Sequence, residues 1–169
     1  MTIAPEGHGR ATLAARYELW LVLHILGAIA AFGFGLYAPV FGMATAREPQ
    51  HGNWYMRASK RVSNAVIIPV AISMFITGTL LVIERGGMRR FEELWLTVSL
   101  LLYVIALLIV FLLQRPALNK VIALTEQPPG PGGPPAGLAE NVRKMQLYGM
   151  ILLVLTIAIV ALMVWKPVL

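Results

Sequence analysis

The chain has no cysteine and no aspartate, and little charge of any kind. Without cysteine there can be no disulfide, no thiolate metal site and no cysteine nucleophile. All eight acids are glutamates. Charged residues make up only 13% of the 169 positions, against 58% hydrophobic, and the mean hydropathy is +0.73. A soluble domain of this length has too little interior to hide that much apolar surface, so the composition points to an integral membrane protein. Basic residues outnumber acids by six. They flank hydrophobic runs, so they are read as anchors to anionic lipid head groups rather than as a nucleic-acid surface.

What is abundant is long uncharged sequence. A bilayer crossing takes about 20 apolar residues. Residues 19–40, 65–83, 94–113 and 147–165 meet that length and contain no Asp, Glu, Lys or Arg. In lipid the backbone must satisfy its own hydrogen bonds, so each is expected to be a helix. The expected fold is therefore all-α, an antiparallel four-helix bundle over residues 19–169, preceded by an extramembrane segment at 1–18. Trp20, Trp95 and Trp165 stand at span ends, where amphipathic rings favour the head-group level. Arg10, Arg16 and the Ala28-Ile29-Ala30 triplet imitate a secretory signal, but the apolar run continues ten residues past Ala30, so it is read as a membrane helix.

The connections differ in kind. Residues 84–93 read as a tight charged turn. Residues 125–137 hold five prolines and four glycines and read as a linker with nothing to bury. The sequence LAENVRKMQLYG after it reads as helix, so the fourth helix is expected to begin near Leu138. "HGNWY" at 51–55 reads as an interfacial loop. Arg47, Arg57, Lys60, Arg61, Arg115, Lys120, Arg143 and Lys144 lie on one side of the membrane, eight against six on the other, which favours both termini outside.

His24 is the one group inside the spans that titrates near neutrality. Positions three, four, seven and eleven residues on are Gly27, Ala28, Ala31 and Gly35, so small residues share its face. Such a face admits a neighbouring helix or a flat ligand. Counting inward from the same side puts Gly78 and Thr77 of span two, Ser99 of span three and Met163 of span four at its depth. Pro69, Ser73 and Thr77 form one semi-polar stripe, and Tyr103 follows Ser99 on one face. Two roles for His24 are open: a hydrogen bond between helices, or an axial ligand to haem iron with Met163 as the possible second ligand. His8 and His51 are isolated, no carboxylate lies within the spans, and no phosphate-binding or nucleophile-elbow motif occurs.

"LHILGA" in span one, Pro69 followed by Gly78, Trp95 opening span three and "MVWKP" closing span four resemble a bacterial family of predicted integral membrane proteins of unknown function. The same landmarks resemble a wider four-helix group containing the membrane protoporphyrinogen oxidase and the membrane domain of copper-resistance protein D. His24, Tyr37 and Pro39 match the oxidase's histidine, tyrosine and proline of span one, and Lys166-Pro167 matches its end. The resemblance implies a b-type haem ligated by His24, a redox-associated role and a bacterial inner membrane. It departs at Ser99, where the oxidase has a lysine, and at Gly149–Leu153, where it has an Asn-Glu-x-Pro-Thr element; protoporphyrinogen oxidation is therefore not expected. The alternatives are an accessory subunit that meets partner membrane helices or a second copy, and copper or small-solute handling.

Overall fold

The computed structural model describes residues 6–84, 93–126 and 133–167. Helix α1 is Glu6–Arg47. A 3-10 turn at Pro49–His51 leads into α2 (Gly52–Val62), a π-helical turn (Ser63–Ile67) and α3 (Ile68–Glu84), which run on as one rod. Helix α4 (Leu94–Ile109), a second π-helical turn (Val110–Gln114) and α5 (Arg115–Glu126) make another. Helix α6 is Leu138–Trp165. Among the described residues, four helices are long and apolar enough to cross a membrane, and the fold is the expected all-α membrane bundle. The start at Leu138 also matches: Gly137 precedes it with φ +82°, a left-handed conformation that glycine adopts without strain, and the Asn141 side-chain amide donates to its carbonyl at 2.8 Å.

The side-chain pairs show how the helices run. Arg16 meets Glu84, His24 meets Thr77, and Gly27 meets Met74, so α1 and α3 are antiparallel. Lys166 lies over the Trp95 ring at 5.8 Å, which sets α6 antiparallel to α4. Helix α1 packs between α3 and α6, and α6 packs also on α4 and α5. By contrast, no Cα of α3 comes within 8 Å of α4 among the described residues. That seam is bridged by Tyr103, whose hydroxyl donates to the Ala71 carbonyl and whose ring stacks on Phe75 at 6.3 Å.

The helices are longer than the membrane needs. At 1.5 Å per residue a rod of 33 residues is about 50 Å long, against a hydrocarbon core of about 30 Å. The excess of both rods falls at the α2 and α5 ends, where the two helices pack together and α5 rests on α6. Here Ala117, Val121 and Ile122 are buried. The Asn53 amide donates to the Ile122 carbonyl at 3.0 Å and to Thr125 Oγ1 at 2.8 Å, Arg57 pairs with Glu126, and Arg115 donates to Asn64 Oδ1 at 3.0 Å.

One expectation is corrected by this cap. Residues 52–55 are not a loop; they are the first turn of α2, and α2 is held as helix by its packing on α5. The helix of the third span also runs on past Leu113, and Pro116 is accommodated within it. A proline removes its own N–H and crowds the carbonyl four residues back, here Leu112. The π-helical turn at Val110–Gln114 contains Leu112 and widens the backbone there. Pro69 has the same arrangement, with Ala65 inside the turn at Ser63–Ile67. Most of the charged turn (85–92) and of the proline run (127–132) lies outside the described residues.

Candidate functional site around His24

Helix α1 turns its small residues toward α3, and this fixes what His24 faces. A Cβ built on Gly27 would stand 2.5 Å from Met74 Cγ, so only glycine leaves room for that side chain. A Cβ on Gly78 would stand 3.2 Å from His24 Cε1, so the imidazole lies against α3 where that helix has no side chain. Farther along, a Cβ on Gly35 would touch Leu153 of α6 at 3.4 Å. The small-residue face is thus a seat for α3 and then α6.

His24 is half-buried and its Nδ1 lies 3.1 Å from Thr77 Oγ1. Thr77 is 6% exposed. Its single hydroxyl proton goes to the Ser73 carbonyl at 2.9 Å, with the Met74 carbonyl at 3.3 Å. With that proton committed, the hydroxyl is set to accept from the ring, the arrangement that favours a neutral imidazole protonated on Nδ1. In that tautomer Nε2 carries the free lone pair and is the nitrogen offered to a metal or a proton donor.

The structure brings His24, Thr77, Gly78 and Gly27 together. Ser99 is buried at 2% exposure, but its hydroxyl donates to the Trp95 carbonyl of its own helix at 2.7 Å. Met163 is half-buried on α6, near the depth of Ser99 because Trp95 and Lys166 adjoin. Among the described residues no hydrogen bond joins either residue to His24. The remaining hydroxyl of the stripe, Ser73, is exposed and returns to the Val70 carbonyl at 2.8 Å. Among the described residues no group of three or more His, Cys, Asp or Glu side chains gathers to hold a bare metal ion.

Sequence reading missed a polar column above His24. Arg16, Trp20 and His24 recur every four residues on α1, and Glu84 ends α3 opposite Arg16. Arg16 Nη2 lies 3.4 Å from Glu84 Oε1, close enough to attract but not aligned as a hydrogen bond. Both Glu84 oxygens and Trp20 Nε1 are buried and have no hydrogen-bond partner among the described residues. The four-residue spacing was the signal; it was obscured because Trp20 reads as a head-group ring and Glu84 as part of a turn.

Comparison with known proteins gives a family and no activity. A family model described as predicted integral membrane protein (DUF2269) matches residues 18–167. No curated protein and no solved structure matches the chain. The match takes in the whole bundle, from the residue before Leu19 to Pro167. The chain belongs to the DUF2269 family of predicted integral membrane proteins.

Proposed function

We propose that this is a haem-binding, redox-associated membrane protein in which His24 Nε2 is an axial ligand to a b-type haem. One observation carries the reading: His24 Nδ1 lies 3.1 Å from Thr77 Oγ1, whose own proton goes to the Ser73 carbonyl, so the ring's Nδ1–H is engaged there and Nε2 is the nitrogen left for a ligand. A hydrogen-bonded Nδ1–H fixes ring orientation and raises the basicity of the other nitrogen, which is the arrangement a metal-ligating histidine uses. The residues present would suit such a group: His24 would ligate it, Thr77 would orient the ring and Gly78 would leave room for the imidazole, while Met163 and Ser99 stand near the same depth on α6 and α4. When bound, the haem supplies one-electron transfer; the chain's own share is to hold the iron, orient the ring and keep lipid around it. The resemblance to the protoporphyrinogen oxidase group supports this reading. With the oxidase's lysine and Asn-Glu-x-Pro-Thr positions occupied by Ser99 and Gly149–Leu153, it stops short of that enzyme's reaction. The reading puts the protein in a bacterial inner membrane, both termini outside, with His24 toward the outer face.

The test is a spectrum. Protein made with ample haem and purified in detergent is expected to show a Soret band and a reduced-minus-oxidised difference that His24→Ala removes. No Soret band, or one that survives His24→Ala, defeats the assignment.

A second reading has its own support. Met74 fills the Gly27 notch, so the small-residue face already has an occupant. On that reading His24 joins two helices, a bond worth about 0.6–2 kcal/mol, and the protein is an accessory subunit of a membrane complex. Co-purifying subunits, with a haem-free His24→Ala protein that still assembles with them, would favour it.

A further inference from the structure

Where α2 and the π-helical turn at Ser63–Ile67 meet α5, the surface carries a shallow cleft, open to solvent and enclosing only about 10 Å³. It is lined by Lys60, Ser63, Asn64, Arg115, Leu118 and Asn119. Two of these are cations and none is an acid. Among the described residues neither Lys60 nor Arg115 pairs with a carboxylate, although Arg57 and Lys144 do. Arg115 is also held in place. Its Nη2 donates to Asn64 Oδ1 at 3.0 Å, and its guanidinium lies 5.4 Å from the centre of the Phe111 ring. A fixed guanidinium, an ammonium, a hydroxyl and two amides around one opening are donors matched to a phosphate.

We propose that this cleft binds the head group of an anionic phospholipid whose acyl chain lies along the seam between α3 and α4. The seam argues for lipid rather than a soluble anion. No Cα of α3 comes within 8 Å of α4, the gap lies below the cleft on the same two rods, and Tyr103 spans it. Phe111 and Val66, exposed at 41% and 46%, offer apolar surface where the cleft meets the hydrocarbon. The cleft also lies on the side carrying eight of the basic residues, at the depth where the charged cap gives way to uncharged helix. Ser63 and Asn64 belong to the π-helical turn that precedes Pro69, and Arg115 follows the one that precedes Pro116. This inference is independent of haem.

Native mass spectrometry of the detergent-purified protein tests it, titrating phosphatidylglycerol, phosphatidylcholine and inorganic phosphate separately. Phosphatidylglycerol is expected to give a first adduct tighter than phosphatidylcholine, and phosphate alone no adduct in the same range. Lys60→Gln and Arg115→Gln are each expected to weaken that adduct about five-fold. Lys60→Gln spares the Arg115–Asn64 bond, so it keeps the test valid if Arg115→Gln fails to fold. Arg143→Gln, on α6 outside the cleft, is expected to change nothing. Equal weakening by Arg143→Gln would mean diffuse surface attraction, and phosphate binding as tightly as lipid would mean a soluble-anion site. Either outcome overturns the proposal.

Discussion

The protonation of His24 can be measured apart from any cofactor. In haem-free protein, ¹⁵N-labelled histidine should show a protonated Nδ1 and a bare Nε2 for His24. The size of the bias follows from counting bonds. With the proton on Nδ1, Thr77 accepts from His24 and donates to Ser73, at 3.1 and 2.9 Å. With the proton on Nε2, Thr77 must turn its only proton toward His24, and the bond to Ser73 is lost. The two states differ by one intramembrane hydrogen bond, which averages about 0.6 kcal/mol and reaches about 1.7. That corresponds to a preference for Nδ1–H of about three-fold to about twenty-fold. Thr77→Val keeps the shape, removes the hydroxyl and should abolish the preference. A wild-type ring mainly protonated on Nε2, or a ratio unmoved by Thr77→Val, would refute the reasoning. So would a haem affinity that Thr77→Val leaves unchanged while His24→Ala abolishes binding.

Gly27→Ala should destabilise the bundle by about 1–2 kcal/mol, because its Cβ would stand 2.5 Å from Met74 Cγ and overpacking outweighs alanine's better helix propensity. Adding Met74→Ala should return most of that loss, and a double-mutant cycle of unfolding free energies in detergent would detect the coupling. Val121 is 1% exposed at the α5 interface, so Val121→Ala should cost about 1–2 kcal/mol and lower the melting temperature. Arg57→Ala breaks a half-exposed ion pair with Glu126 and should cost less than about 1 kcal/mol in the same melt. Asn53→Ala should cost more than Arg57→Ala, since it strips partners from the Ile122 carbonyl and from Thr125.

The bundle was legible because lipid allows the backbone few options. Long uncharged runs must be helices, and each crossing leaves the chain on the opposite side, so successive spans run antiparallel. Depth counting was enough to pair His24 with Thr77 and Gly78, since antiparallel helices of equal rise keep their levels. It was not enough for Ser99 and Met163, because depth says nothing about rotation about a helix axis; Ser99 turns its proton back to its own helix. The overhanging α2 and α5 were hidden for another reason. Their stability comes from contacts between residues about 70 positions apart, such as Asn53 with Ile122. Pro116 lies inside the third rod, and the widened turn before it, which accommodates it, leaves no mark in the local sequence.

That overhang divides the molecule by solvent. Between lipid-embedded helices water is not there to be expelled, so close fit and polar bonds hold them. Around Ala117, Val121 and Ile122 water is present, and ordinary hydrophobic burial operates. One chain therefore carries two stabilities with different chemical sensitivities. Urea should loosen the α2–α5 pair while the crossing helices stay inserted, and a poor detergent should do the reverse. The order of assembly follows as well: α2 precedes the second crossing and α5 follows the third, so the aqueous pair can close only after both crossings are in place.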